Sequence, residues 1–224
     1  MKPGAKRAYR QHCGLAKALD VVGERWTLLL VRELLLGPRT WSQLLEALPG
    51  LTTNLLAKRL GELQDAGVIE RHAAPEDPRP GRRGSYALSE RGRSLEPVVM
   101  ELARWGKELL PSPPAPGDRF DIGWALLSSK RRYTRAASRP QLVLELGAGE
   151  RRFMLRASPG YLDVHEGTPW SADLVLDGDQ QAVLELWFGQ RSAAQLLASG
   201  RLSLVGELDQ LREFLASFSG ITWD

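Results

Sequence analysis

Between Gly50 and Arg71 the chain reads GLTTNLLAKRLGELQDAGVIER, and its polar residues return at a spacing that groups them. On a helix, Thr53, Asn54, Ala57, Lys58 and Gly61 fall at i, i+1, i+4, i+5 and i+8, so they share one side. The chemistry on that side is short and cationic. An Asn amide can donate and accept at a base edge, a Lys ammonium can neutralise a phosphate, and threonine hydroxyls near a helix N-terminus suit either partner. A solvated helix surface would carry the same residue types, and spacing alone leaves both readings open. Leu56, Leu60 and Leu63 recur at i, i+4 and i+7 on another side and predict a buried stripe. Arg59 lies between the two faces, set either to touch nucleic acid or to cover the core edge with its stem.

The elements around this segment must hold it in place. Thr52 is a good N-cap, and Gly67 accepts the φ > 0 of a C-cap. Upstream, LAKALDVVGERWTLLLVRELLLGPR predicts one helix over 15–22 and a second over 26–36, stopped by Gly37 and Pro38, with Leu28, Leu29 and Leu35 read as core. Thr40 then caps WSQLLEAL, and Pro49 and Gly50 turn the chain into the Thr52-capped helix. Downstream, VIERHAA and SYALS predict two strands around a turn-rich tip, PEDPRPGRRG, which carries Arg79, Arg82 and Arg83. These cations suit phosphates or a narrow minor groove, or serve only the solubility of an exposed loop. Ser89 caps a last helix running to about residue 110, with a kink expected at Pro97 and Leu95, Val98, Val99, Leu102 and Trp105 near helical spacing.

Helix, turn, helix, then hairpin and closing helix is the winged-helix plan, in which the second helix of the motif enters the major groove. Over roughly residues 13–106 the chain resembles the HxlR family of bacterial transcription regulators. The resemblance is carried by Cys13, the Gly-x-Arg-Trp of Gly23 to Trp26, Leu-Pro-Gly-Leu at 48–51, Thr-Asn-Leu-Leu at 53–56, Ala-Gly-Val at 66–68 and Tyr-x-Leu-Ser-x-x-Gly at 86–92. Trp41 departs from the Phe of that pattern. The resemblance implies a homodimer binding a pseudo-palindromic double-stranded DNA operator, with Thr52, Thr53, Asn54, Lys58, Arg59, Arg79, Arg82 and Arg83 as candidate contacts. It also makes Cys13 a candidate redox sensor. Lys17, one turn on, and the adjacent helix N-terminus would lower its thiol pKa if the sulfur is partly exposed; a small buried hydrophobe is the plainer role for a free thiol.

Composition agrees with two domains, 1–110 and 118–224, about PSPPAPG at 111–117, whose four prolines read as a linker. Residues 1–116 carry 18 Lys and Arg against 13 Asp and Glu, and residues 117–224 carry 12 against 14, so the excess of positive charge lies in the first half. That fits a nucleic-acid partner there, and equally an ordinary solvated surface. No run approaches the ~18 apolar residues of a membrane helix and no apolar signal segment opens the chain, so a cytoplasmic protein with no membrane partner is expected. One cysteine excludes an intrachain disulfide, and His12, His72 and His165 lack metal-ligand spacing, so no metal or other cofactor is expected.

The second half predicts a helix over 124–133, strands QLVLELG, RRFMLRA and YLDVHEG, a strand ADLVLDGD, helices QQAVLELWFG and SAAQLLASG, a strand RLSLVG and a closing helix LDQLREFLASF. The fold class expected for the whole chain is α+β. No nucleophile elbow or Gly-rich phosphate loop occurs here, and an enzyme is disfavoured. The order of elements over roughly 121–219 resembles the sterol-carrier-protein type 2 fold. That resemblance implies an apolar cavity and a hydrophobic small-molecule effector, with Trp124, Leu127, Trp187, Phe188, Leu197, Phe214 and Phe218 as candidate lining; ordinary core packing explains each of them as well. A different reading of the whole chain is a lipid-binding or dimerisation scaffold whose winged helix mediates protein contacts.

Overall fold

The structure is a computed structural model that describes residues 8–72, 84–111, 114–134 and 140–224. The chain divides into two compact units, residues 1–102 and 103–224.

In the first unit, α1 (Gly14–Val22) and α2 (Thr27–Leu35) are followed by a two-residue strand β1 (Arg39–Thr40), α3 (Trp41–Ala47) and α4 (Thr53–Asp65). Strands β2 (Ile69–His72) and β3 (Ser85–Leu88) come next, then α5 (Glu90–Arg93) and α6 (Glu96–Gly106), whose last four residues belong to the second unit. β3 lies between β1 and β2, antiparallel to both, with Thr40 opposite Ser85 and Ile69 opposite Leu88. β1 is too short to show a period, which is why sequence patterning passes over it. Thr40 does cap α3, in a reciprocal box with Gln43: its hydroxyl accepts the Gln43 N–H, and its own N–H donates to the Gln43 side chain.

The core of this unit is aliphatic. Leu30, Val31 and Leu34 of α2, Leu44 of α3 and Leu56, Leu60 and Leu63 of α4 are all buried. Leu29, expected in the core, is exposed instead, because the buried stripe of α2 runs through positions 30, 31 and 34. Ser89 fastens the hairpin to the end of α4: its hydroxyl lies 2.7 Å from the Gly67 carbonyl and 3.1 Å from that of Val68. Gly92 makes this approach possible, since a Cβ there would lie 2.0 Å from the Val68 carbonyl oxygen.

The single kinked helix expected after Ser89 is two helices. Pro97 has no N–H to give and its ring would strike the carbonyl one turn back, so the chain breaks at Ser94 and Leu95 and restarts with Pro97 in the first turn of α6. Val99 and Met100 of α6 are buried, whereas Val98, Leu102 and Trp105 form an exposed stripe at i, i+4 and i+7.

The second unit places α7 (Ile122–Ser128) before β4 (Leu142–Ala148), β5 (Arg151–Ser158), β6 (Tyr161–Glu166) and β7 (Leu174–Gly178). Then follow α8 (Gln180–Trp187), α9 (Ala193–Ala198), β8 (Leu202–Val205) and α10 (Leu208–Leu215). The sheet order is β6-β5-β4-β7-β8, with β4 and β7 parallel and every other pair antiparallel. Leu144, Leu146, Phe153, Leu155, Leu162, Val164, Leu174 and Leu176 alternate onto one buried face, where α7 packs on β6 and α8 on β4. Residues between them, such as Glu145, Met154 and His165, are half-exposed on the other face. Arg151 ties sheet to helix, donating to Glu166 on β6 and to Asp121, the residue that caps α7. The mixed α+β class expected from the sequence is what the chain adopts.

Candidate nucleic-acid interface

The candidate reading face is built on α4. Thr52 Oγ1 accepts the Leu55 N–H at 3.3 Å, which satisfies one of the unpaired donors of the first turn. With Leu56, Leu60 and Leu63 fixing the inward side, the outward side is determined by helical geometry. Thr52, Thr53, Asn54, Ala57 and Lys58 are all exposed on it. Lys58 lies 4.0 Å from Glu62, a loose contact for a side chain 65% exposed, so its charge remains available to an anion.

Arg59 does not join this face. Its side chain is 6% exposed; Nη2 donates to Glu24 at 2.5 Å, Nη1 to Glu62 at 2.6 Å and Nε to the Arg25 carbonyl at 3.2 Å. The expectation of a DNA contact at Arg59 is therefore corrected. Its position carries it toward the segment before α2, where the Glu24 carboxylate and the Arg25 carbonyl, together with Glu62 of α4, engage all three guanidinium nitrogens. Glu62 three residues on was the sequence signal for this clamp.

The Gly-x-Arg-Trp segment has its own geometry. Trp26 has φ 77°, in the left-handed region that non-glycine residues rarely occupy. Its ring reaches the turn before α4: the position of a Gly50 Cβ lies 3.7 Å from Trp26. The Arg25 guanidinium stands 5.1 Å over the Trp26 ring. Neither Arg25 nor Trp26 stood out in the sequence as more than part of a motif, because periodicity carries no information about a residue with φ > 0.

Arg79, Arg82 and Arg83 lie outside the described residues. The strands that lead toward them are formed, with His72 opposite Ser85 at the last described pair. Cys13 is exposed at the N-cap of α1, which removes the reading of a buried hydrophobe, and Lys17 is directed at Asp20, 3.6 Å away.

In the second unit, Leu127, Trp187, Phe214 and Phe218 are all buried, the three aromatic ones in one cluster. Phe218 is the hub, with ring centroids 5.9 Å from Trp187, 5.2 Å from Phe214 and 5.4 Å from Tyr133. Trp124 and Leu197 are half-buried. Phe188 departs from the expected lining: as the residue that ends α8 it turns outward and packs on Phe120, 6.2 Å away. The Trp187 indole N–H is buried and has no hydrogen-bond partner among the described residues.

Residues 21–113 match the HxlR-like helix-turn-helix family model. The HTH-type transcriptional regulator sll1512 of Synechocystis sp. is 38% identical over 98 residues, covering 44% of this chain and 70% of the relative. The chain belongs to the HxlR-like helix-turn-helix family. The HTH-type transcriptional regulator YvaP of Bacillus subtilis is 38% identical over 92 residues, which is 41% of this chain and 82% of YvaP. The solved reduced form of the transcriptional regulator YodB from B. subtilis aligns at 30% identity over 48% of this chain and all of YodB, with a TM-score of 0.39. HxlR-like proteins are transcription regulators that act through DNA, not enzymes. Among the described residues no helix is long and apolar enough to cross a membrane.

Proposed function

We propose that this HxlR-like chain is a cytoplasmic regulator that binds operator DNA as a homodimer, with α4 in the major groove and a hydrophobic small molecule acting through the second unit. The observation that carries the DNA reading is the exposed side of α4, on which Thr53, Asn54 and Lys58 stand together above a fully buried leucine stripe. Support for a dimer comes from the exposed apolar stripe Val98, Leu102 and Trp105 of α6, and from exposed Leu15 and Leu19 on α1, since large apolar side chains left in water at helical spacing mark a surface that another protein covers. Two half-sites would then be centred one helical turn of DNA apart, about 10 bp, or a multiple of it. Cys13, being exposed, is the thiol through which an oxidant would act on the same dimer.

Salt titration of duplex binding tests this. Lys58→Ala should weaken binding at every salt concentration and flatten the slope of log K against log salt by about 1.8 per dimer, one phosphate contact being lost from each subunit. A slope equal to that of the parent would remove Lys58 from the phosphates. A parent chain that binds no genomic duplex would instead favour a winged helix used for protein contacts.

Support for the effector comes from Trp187, whose buried N–H lacks, among the described residues, the partner that such a group ordinarily has. A sterol-carrier-like unit with this donor inside would favour apolar molecules carrying a carbonyl or ether oxygen. In thermal melts against a panel of such compounds, a binder at a hundredfold excess over Kd should stabilise the parent by about 2.7 kcal/mol, and Trp187→Phe substantially less. Trp187→Phe without ligand should lose little stability, because removing an unpaired donor offsets part of the lost packing. Equal stabilisation of both proteins would remove Trp187 from the site.

A further inference from the structure

The segment before α2 holds a cation that the reading of α4 does not use. Arg25 is exposed, and no ion pair to it is formed among the described residues. Three arrangements fix where its guanidinium stands. Its backbone carbonyl accepts from Arg59 Nε at 3.2 Å, which anchors the residue to α4 itself. Trp26, in the left-handed region at φ 77°, turns its ring against Gly50 at the entrance to α4. The Arg25 guanidinium lies on that ring at 5.1 Å, so the stacked rotamer is favoured over those that extend into solvent. The neighbouring Glu24 carboxylate would otherwise compete for Arg25, but it is already held by Arg59 at 2.5 Å. A cation biased to this place, next to the turn from which Thr52, Thr53 and Asn54 start, is set for more than solubility, which asks for no preferred rotamer.

From this geometry we infer that Arg25 is a phosphate contact, holding the DNA backbone beside the groove that α4 enters. The inference rests on the DNA reading of α4 given above. A guanidinium stacked on an indole keeps its edge N–H groups free, and those are the groups that grip a phosphodiester with two parallel hydrogen bonds. Less ordering is lost on binding, since stacking has already selected the rotamer. The contact carries no base information: Arg25 sets the register of the helix on the duplex and Asn54 reads within it.

The test uses the full chain and a 40-bp duplex selected from random sequence by the parent protein, with a scrambled duplex beside it. Arg25→Ala should weaken binding to both duplexes alike, by roughly 3- to 10-fold near 0.1 M salt, and should flatten the salt slope by about 1.8 per dimer. Arg25→Lys should keep the slope and lose part of the affinity, as a point charge replaces the fork. Arg191→Ala, which removes an exposed cation from the second unit, should leave the slope as it is. An unchanged slope for Arg25→Ala, in a preparation where Lys58→Ala flattens it, would overturn the inference and leave the DNA reading standing. A melting temperature that falls by more than a few degrees with the slope retained would make Arg25 a folding element and would also overturn it. Failure of the parent to bind any duplex would remove the DNA reading itself, and this inference with it.

Discussion

Arg59→Ala should lower the stability of the chain by about 2–4 kcal/mol while leaving the salt slope of DNA binding unchanged. The guanidinium is almost fully buried and every contact it makes is to oxygen: Glu24, Glu62 and the Arg25 carbonyl. Truncation leaves a carbonyl and the 23%-exposed Glu62 carboxylate without their donor, and leaves the aliphatic stem's volume empty. Glu24 is half-exposed and recovers its hydration, which keeps the loss below that of a fully buried pair. Arg59→Lys should fall between parent and Ala, because a single ammonium cannot span all three oxygens. The measurement is the denaturant midpoint of the full chain, taken with the salt dependence of binding for the same variant. A side chain on the DNA surface would give the reverse pattern, an unchanged midpoint with a flatter slope, and that result would return Arg59 to the reading face.

The clamp also marks where sequence reasoning stops. The α4 stripe, the Thr40 and Thr52 caps and the hairpin strands follow from patterns confined to a dozen residues, so local chemistry determines them. Arg59 was undecided on those grounds because its angle on the helix lies between faces, and its partner Glu24 is 35 residues away. No local pattern connects the two. The same holds for Trp26, whose left-handed backbone goes with a ring that reaches Gly50, and for α6, where helical spacing of Val98, Leu102 and Trp105 reads as burial although the single chain leaves them in water. Periodicity reports that a face is apolar; it does not report whether this chain or another molecule covers it. In the second unit the strand alternation was legible, and Phe188 was not, because it caps the end of α8, where helical spacing stops deciding which way a side chain faces.

Gly61 should give the largest separation of stability from binding. It lies inside α4, and a Cβ added there meets nothing within 4 Å among the described residues beyond its chain neighbours and the helix's own backbone. Nothing among the described residues explains a glycine at this position, which costs a helix interior up to ~1 kcal/mol relative to alanine. It falls four residues after Ala57 and eight after Thr53, on the exposed side that carries Asn54 and Lys58. The absence of a side chain would then serve something that approaches from outside, and on the DNA reading that is the wall of the groove. Gly61→Ala should therefore raise stability by about 0.5–1 kcal/mol and weaken operator binding several-fold. Gly61→Glu, also acceptable to the helix, should keep the melting temperature and reduce affinity by more than tenfold, over ~1.4 kcal/mol, as a carboxylate is pressed toward phosphates. Gly61→Lys separates the causes: if the groove wall is close, the long side chain weakens binding despite its charge, and if charge alone matters it strengthens binding. Alanine and lysine variants that both bind like the parent would mean that DNA does not reach this turn of α4, confining the contact to the first turns around Thr53, Asn54 and Lys58.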